Sequence, residues 1–265
     1  MVETHCRPCA AAFPAGLQQP EGSMRFSADA LLLPAFVARA LRNRSHKRRH
    51  GQETGLFSGL APHQWRAADL GCGCGASSLA LLLLVDKLCV WGVDIAPELV
   101  ASARANSEQL GLGSRTNFTC GDVRELGQAC TPMCDIVQIN PPYWEEGRGR
   151  VSEQALNETA RRGSVEHFLK AAREILVHHG SLFLIFPAER TADLFVQLDH
   201  CRFGVRTVQY VRPLLLRPAR RILVEAKQDA RHDTVIVPDL ILYEKDASGI
   251  NVVTKAARDF CPWLH

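Results

Sequence analysis

The sequence predicts an α/β fold: a doubly wound, mostly parallel seven-stranded sheet with an antiparallel edge. Three observations point there. From Trp65 onward, apolar runs of strand length alternate with helix-length segments, and strands separated by helices pair in parallel through right-handed crossovers. The early strand segments are apolar throughout, as expected when helices cover both faces of the sheet. The last two long strand segments follow one another without a helix between them, which predicts an antiparallel pair.

The elements can be justified in order. Met1 to about Gly22 is rich in Pro, Ala, Gly and Gln and lacks periodicity, so 1–22 is expected as a loose arm and 23–265 as a single domain. "RFSADALLLPAFVARAL", Arg25 to Leu41, reads as a helix entered through Ser27 or Asp29, both good capping residues. The basic, glycine-containing stretch at 42–64 reads as an exposed loop. "WRAADLG" is a strand ending in glycines, "ASSLALLLLVDK" an apolar helix, and "LCVWGVD" a strand ending in an acid. "APELVASARANSEQLGL" is a helix with Pro97 in its first turn and Gly111 near its end. "TNFTCGD" and "CDIVQIN" are strands three and four. A helix is expected over Val165 to His178, then the strand "SLFLIFP", the helix "AERTADLFVQLDH", and the strands "GVRTVQYVRP" and "RRILVEAKQ".

The chain has 265 residues, 46% hydrophobic and 22% charged, with a net charge of +3, an ordinary globular composition. No stretch approaches the roughly 20 apolar residues of a membrane span. No basic region leads into an apolar one at the N-terminus, so no signal peptide is expected. Ten cysteines are scattered, several (Cys89, Cys120, Cys134) within apolar runs, which reads as a cytoplasmic protein with reduced thiols. Cys6 and Cys9 form a CxxC without a second half, so no metal site is expected.

Two sites stand out. "DLGCGCG" places Gly71, Gly73 and Gly75 at the end of the first strand, where glycine allows a sharp turn and close approach of a ligand. The spacing is compatible with a nucleotide-like ligand, and a dinucleotide is not excluded. Asp94 ends the second strand about 20 residues beyond, where a carboxylate can accept two hydrogen bonds from a ribose diol. Asp122 ends the third strand and can accept from an adenine amino group. Both acids can also cap the elements that follow.

The second site is "NPPYW". Strands one and four flank the switch point of such a sheet, so Asn140 emerges beside the glycine turn. The Asn140 side-chain carbonyl and the Pro141 backbone carbonyl are two acceptors. Pro141 and Pro142 restrict where these acceptors point. Tyr143 can lay its ring on a flat group. Together they suit a planar NH2 group, with both hydrogens held and one face stacked. Holding the hydrogens orients the nitrogen lone pair and favours the charge that develops on bond formation.

At these residues the sequence resembles the S-adenosylmethionine-dependent methyltransferases that modify amino nitrogens. The resemblance rests on "DLGCGCG", Asp94, Gly121–Asp122 and Asn140–Tyr143. It implies a Rossmann-like class I methyltransferase with S-adenosylmethionine held by Asp69, Gly71, Gly73, Gly75, Asp94, Asp122 and Asn140. It also implies a catalytic group of Asn140, Pro141, Pro142 and Tyr143. The flanks "RFSADALLLPAF" and "RPARRILVEAKQ", with "LILYEKD", resemble the bacterial tRNA1(Val) adenine-N6 methyltransferase group, whose target is the adenine 3′ of the anticodon. The expected partner is therefore tRNA through its anticodon loop, with no membrane and no metal. Asp29 and Arg220–Arg221 match that group without an assigned step.

Basic clusters are candidate phosphate contacts. Arg148 and Arg150 lie just beyond the NPPY segment, and Arg42, Lys47, Arg48 and Arg49 lie in the 42–64 loop; Arg161–Arg162 and Arg217–Arg221 are further clusters. Three rival readings exist: a glutamine-N5 methyltransferase of release-factor type, another N6-adenine nucleic-acid methylase, and a cofactor-binding RNA chaperone without turnover.

Overall fold

The computed structural model describes residues 13–23, 25–42, 65–127, 133–141 and 165–264. Helix α1 (Asp29–Arg42) precedes a regular alternation of β1 (Trp65–Leu70), α2 (Ala76–Leu84), β2 (Leu88–Asp94), α3 (Pro97–Gln109), β3 (Thr116–Cys120) and β4 (Cys134–Ile139). Then come α4 (Val165–Ile175), β5 (Leu176–Pro187), α5 (Thr191–His200), β6 (Phe203–Arg212) and β7 (Arg221–Gln228). Short elements close the chain: β8 (Val235–Ile236), β9 (Leu240–Ile241), β10 (Tyr243–Lys245), β11 (Asn251–Val253) and α6 (Lys255–Phe260).

The main sheet runs β3-β2-β1-β4-β5-β7-β6-β8, with β9 also on β6. β1 pairs in parallel with both β2 and β4, so the strand order reverses at β1. β7 is antiparallel to both β5 and β6, which is the antiparallel edge. The two-residue strands β8 and β9 extend that edge, so that among the described residues the sheet has nine strands where seven long ones are expected. β10 and β11 form a separate hairpin.

Helices bury both faces of the sheet. On one, Leu33 of α1 and Leu79 and Leu81 of α2 pack with Ile136 and Phe183. On the other, Leu169 of α4 and Leu198 of α5 pack with Val137, Ile139 and Leu184. Each such leucine contributes about 1.5–3 kcal/mol when fully buried. This two-sided cover is why the central strands read as continuous apolar runs.

Several boundaries differ from the sequence expectation: α2 stops at Leu84 rather than Lys87, and β3 at Cys120 rather than Asp122. α4 stops at Ile175 rather than His178, because Leu176 already pairs with Cys134 of β4. The register then shifts before Ile136 meets Ser181, and His179 takes a left-handed φ of 60° in that irregular stretch. The segment before α5 begins as a 3-10 turn, Ala188–Arg190.

The N-terminal arm is not loose from Phe13 onward. Phe13 is buried edge-on against Trp263, with ring centroids 4.8 Å apart. Gln18 exchanges hydrogen bonds with Asn106 of α3: its N–H donates to Asn106 Oδ1 (2.7 Å) and its carbonyl accepts from Nδ2 (3.0 Å). No described helix is long and apolar enough to cross a membrane.

Candidate cofactor and target-amine site

The site is built at the carboxyl edge of β1, β2, β3 and β4. Gly71, Gly73 and Gly75 all take positive φ (74°, 55° and 84°), a backbone that side chains resist. A Cβ on Gly75 would press on Ala103 at 3.1 Å and Phe118 at 3.3 Å, so that glycine lets α3 and β3 close on the turn. Among the described residues, a Cβ on Gly73 would meet nothing within 4 Å, so as far as these residues go the outer side of the turn is a cradle open to a ligand. The turn is tied down by Gly71 and Cys72 N–H groups donating to the Val93 carbonyl and by Asn106 Nδ2 donating to the Cys74 carbonyl.

Asp94 stands beside this cradle. Its Oδ2 accepts from the Gly73 N–H (2.8 Å) and its Oδ1 from the Ala96 N–H (3.0 Å) at the entry to α3. The carboxylate thus both caps and clamps, and each oxygen keeps further acceptor capacity for a diol. Burial raises its pKa, and the Ala96 and Gly73 amides work against that rise.

Asp69 lies deeper than the sequence suggests. It is buried in β1, and its Oδ2 accepts from the Ser78 hydroxyl at 2.5 Å. Burial pushes its pKa up to about 6, with the Ser78 hydroxyl and the Gln138 amide opposing. Next to it, Gln138 Nε2 donates to Ser77 Oγ at 3.1 Å. Asp69, Ser77, Ser78 and Gln138 form a buried polar group joining β1, the first turn of α2, and β4. Asp69 holds the turn from beneath rather than facing its open side.

Asp122 is a half-exposed cap. Its Oδ1 accepts from the Arg124 N–H (2.8 Å), and the Arg124 guanidinium pairs with both carboxylate oxygens. That pairing, chiefly the side-chain hydrogen bond, lowers its pKa. An adenine amino group at this carboxylate must share it with Arg124.

Cys72 and Cys74 sit within the turn as apolar filling. Cys72 packs with Val100, Ala103 and Phe118, and Cys74 with Ala30 and Ala76. Burial raises both thiol pKa values, so neither is a thiolate. Cys89 and Cys134 are buried as the apolar runs suggest, whereas Cys120 is exposed.

The β1–β4 register pairs Leu70 with Ile139. Asn140 therefore emerges level with Gly71, about one strand spacing, ~5 Å, to the side. Pro141, next to it, is buried. Pro142, Tyr143, Arg148, Arg150, Arg161 and Arg162 lie outside the described residues, as do Cys6, Cys9, Lys47, Arg48 and Arg49. Arg42 is described and ends α1. That helix starts at Asp29, which pairs with Arg221 at 2.7 Å on the carboxyl edge. Fourteen residues put Arg42 about 20 Å away, toward the opposite edge. Arg42 is not brought to the glycine turn.

Sequence reasoning misses the Gln138–Ser77 bond, the Gln18–Asn106 clamp, and Phe168, whose ring lies 3.2 Å from where a Gly71 Cβ would be. One signal was present: Gln138 is a polar residue in an otherwise apolar strand.

Known proteins share parts of this sequence and the fold. Residues 67–161 match the model of a methyltransferase domain. The chain is 24% identical over 195 residues to the tRNA1(Val) (adenine(37)-N6)-methyltransferase of Haemophilus influenzae, covering 72% of this chain and 81% of that protein. It is 27% identical over 199 residues to the protein of the same name from Mannheimia succiniciproducens, covering 74% and 79%. The crystal structure of a predicted O-methyltransferase from Agrobacterium tumefaciens superposes with a TM-score of 0.63 at 22% identity, over 88% of this chain and 94% of that one. That likeness concerns the fold alone.

The residues present fit S-adenosylmethionine. Gly73 leaves the turn without a side chain on its outer side, and the Asp94 carboxylate beside it keeps acceptor capacity of the kind a ribose diol needs. At the end of β3, a Cβ on Gly121 would meet, among the described residues, only Val93, at 3.8 Å.

Proposed function

We propose that this chain, an S-adenosylmethionine-dependent methyltransferase of the Rossmann-like class I fold, methylates the exocyclic N6 amine of an adenine in RNA. The substrate class we infer is tRNA, at the adenine next to the anticodon. The single observation that carries this reading is the register of β4 on β1, which delivers Asn140 level with the glycine turn. The tRNA1(Val) adenine-N6 names of the relatives support the choice of target.

When bound, S-adenosylmethionine supplies an electrophilic methyl group. The chain's residues do the rest by positioning. Asp94 and the Gly71–Gly75 turn hold the cofactor. Asn140 Oδ1 and the Pro141 carbonyl accept the two hydrogens of the adenine amine, which turns the nitrogen lone pair toward the turn. The same acceptors favour the positive charge that grows on nitrogen. Tyr143 stacks on the base. No strong base is required, because the extra proton is acidic once the new bond has formed and can pass to water. An adenine in an anticodon loop is single-stranded, so presenting it costs less than extruding a paired base.

The test is methyl transfer from labelled S-adenosylmethionine to total tRNA, to a release-factor glutamine peptide, and to neither. Label on tRNA supports the reading. Label on the peptide alone replaces it with the glutamine-N5 reading, and cofactor binding without any transfer replaces it with the chaperone reading.

A further inference from the structure

Among the described residues, the turn between β6 and β7 carries the most exposed large hydrophobic side chain, Leu216. β6 runs parallel to β5 in direction and β7 antiparallel to both, so the turn that joins them projects from the same edge as Asn140. Its tip, "PLLLRPARR", carries Leu215 and Leu216, 68% and 92% exposed. Two adjacent leucines held in water mark a contact surface rather than a packing element.

The tip is built to hold that shape. Arg217 N–H donates to the Leu214 carbonyl (3.0 Å) and Arg220 N–H to the Val211 carbonyl (2.9 Å). Arg212 braces it from one side, pairing with Asp239 and donating from Nη1 to the Arg217 carbonyl (3.0 Å). Arg221 braces it from the other, pairing with Asp29 and donating to the Arg220 carbonyl at 3.0 Å. Arg212 and Arg221 are thus used structurally. Arg217 and Arg220 are exposed, and among the described residues neither guanidinium has an ion-pair partner. No acidic residue lies between Arg212 and Arg221.

The position sets the reach. Asn140 is level with Ile185 of β5, since Ile139 pairs with Leu184, and Arg221 pairs with Pro187. The tip therefore stands two to three strand spacings, ~10–15 Å, to the side of Asn140 and somewhat further out. A group bound there touches nucleotides flanking the target and not the target base.

We infer that the β6–β7 tip is a second RNA-binding element: Arg217 and Arg220 hold backbone phosphates beside the target adenine, and Leu215 and Leu216 pack on or between the bases next to it. This rests on the RNA reading of the site. An apolar wedge between bases, flanked by arginines on phosphates, is a general way to hold an unstacked nucleotide. Here it keeps the neighbours apart while the target amine reaches Asn140. A lipid surface would also accept leucines among arginines, but the tip shares its edge with a site for a planar amine, which favours the nucleic acid.

The experiment uses the full chain with tRNA. Leu215→Ala/Leu216→Ala removes the wedge at exposed positions, and Leu215→Met/Leu216→Met restores an apolar one. Arg217→Ala/Arg220→Ala removes the phosphate contacts. Expected for the leucine pair is a rise in KM for tRNA on the order of tenfold, the loss of part of two buried leucine contacts, with cofactor affinity unchanged and the methionine pair restored. Expected for the arginine pair is a log–log salt slope shallower by about 1.4, two single-strand phosphate contacts. If the wild type methylates tRNA while both pairs keep its KM and its slope, this inference is overturned and the RNA reading stands. If the wild type transfers no methyl to any RNA, both fall. Loss of binding to anionic phospholipid vesicles in the tip variants, with tRNA kinetics intact, would assign the tip to membranes and overturn the inference.

Discussion

The two halves of the carboxyl edge are built differently. On the side proposed for the cofactor, at β1 and β2, the chemistry is buried and already bonded: Asp69 to Ser78, Asp94 to the Gly73 and Ala96 amides, and the turn to Val93 and Asn106. On the other side, from β4 to the β6–β7 tip, the groups are a half-buried Asn140 and exposed arginines and leucines. The difference matches two kinds of ligand. A small ligand of constant shape is served by acceptors fixed before it arrives, since no ordering cost is paid on binding. A large polyanion is served by exposed cations that steer it and by a few placed acceptors at the reacting group.

Mutations can break this contrast one side at a time. The largest effect is expected at Asn140. Asn140→Ala should lower kcat by about 100- to 1,000-fold, roughly 2.7–4 kcal/mol of transition-state stabilisation, while S-adenosylmethionine still binds. Single-turnover kinetics with calorimetry checks both halves of that statement. Asp94→Ala should do the converse. Losing charge-assisted hydrogen bonds worth about 1.5–3 kcal/mol should weaken cofactor affinity about 10- to 100-fold and leave tRNA affinity as it was. Equal cofactor affinity in the variant removes Asp94 from the site.

Tyr143 lies beyond the described residues, and its expected role is stacking. Tyr143→Ala should cost about 1–3 kcal/mol in kcat/KM for tRNA, and Tyr143→Phe much less. A phenylalanine as damaging as alanine would make the hydroxyl the working group.

The smallest effect sharpens the contrast by pH. Asp69 is raised from 3.8 to about 6 by burial, so the folded protein binds its proton more tightly than the unfolded chain. Its contribution to stability is therefore fully present below about pH 3.8 and is lost as the pH rises through about 6. Asp69→Asn has no such proton. Denaturant unfolding of wild type and variant across this range should show the wild type losing ground to the variant between these two values and running parallel above them. Parallel curves throughout would mean that Asp69 binds its proton equally well in the folded and the unfolded chain, so that burial does not raise its pKa.

The placement of the glycine turn and of Asp94 was legible because a glycine run and strand-terminal acids, set among alternating apolar segments, fit little else than the carboxyl edge of a parallel sheet. β4 and its Asn140 were legible for a related reason, since a strand that stops at two prolines must deliver what precedes them to the edge. What sequence could not supply were the long-range bonds. Gln18 and Asn106 are 88 positions apart and Asp29 and Arg221 are 192 apart. No local pattern pairs them, and a composition rich in Pro and Gly hides the anchoring of Phe13. The sequence places the end of α4 too late because Leu176, which suits a helix, is claimed by pairing with Cys134, a tertiary contact overriding local preference. Asp69 reads as a ligand contact because its carboxylate stands next to the glycines in sequence, whereas the strand turns it inward to Ser78.

The most direct measurement is the identity of the methylated nucleoside. Total tRNA is incubated with the protein and labelled S-adenosylmethionine, digested to nucleosides and separated, in parallel with Asn140→Ala protein shown by calorimetry to bind the cofactor. Label in N6-methyladenosine with the wild type, and at least about 100-fold less with the variant over the same time, is the expected result. Label in any other nucleoside, or equal N6-methyladenosine from both proteins, would contradict the assignment of Asn140 as the acceptor for an adenine amine.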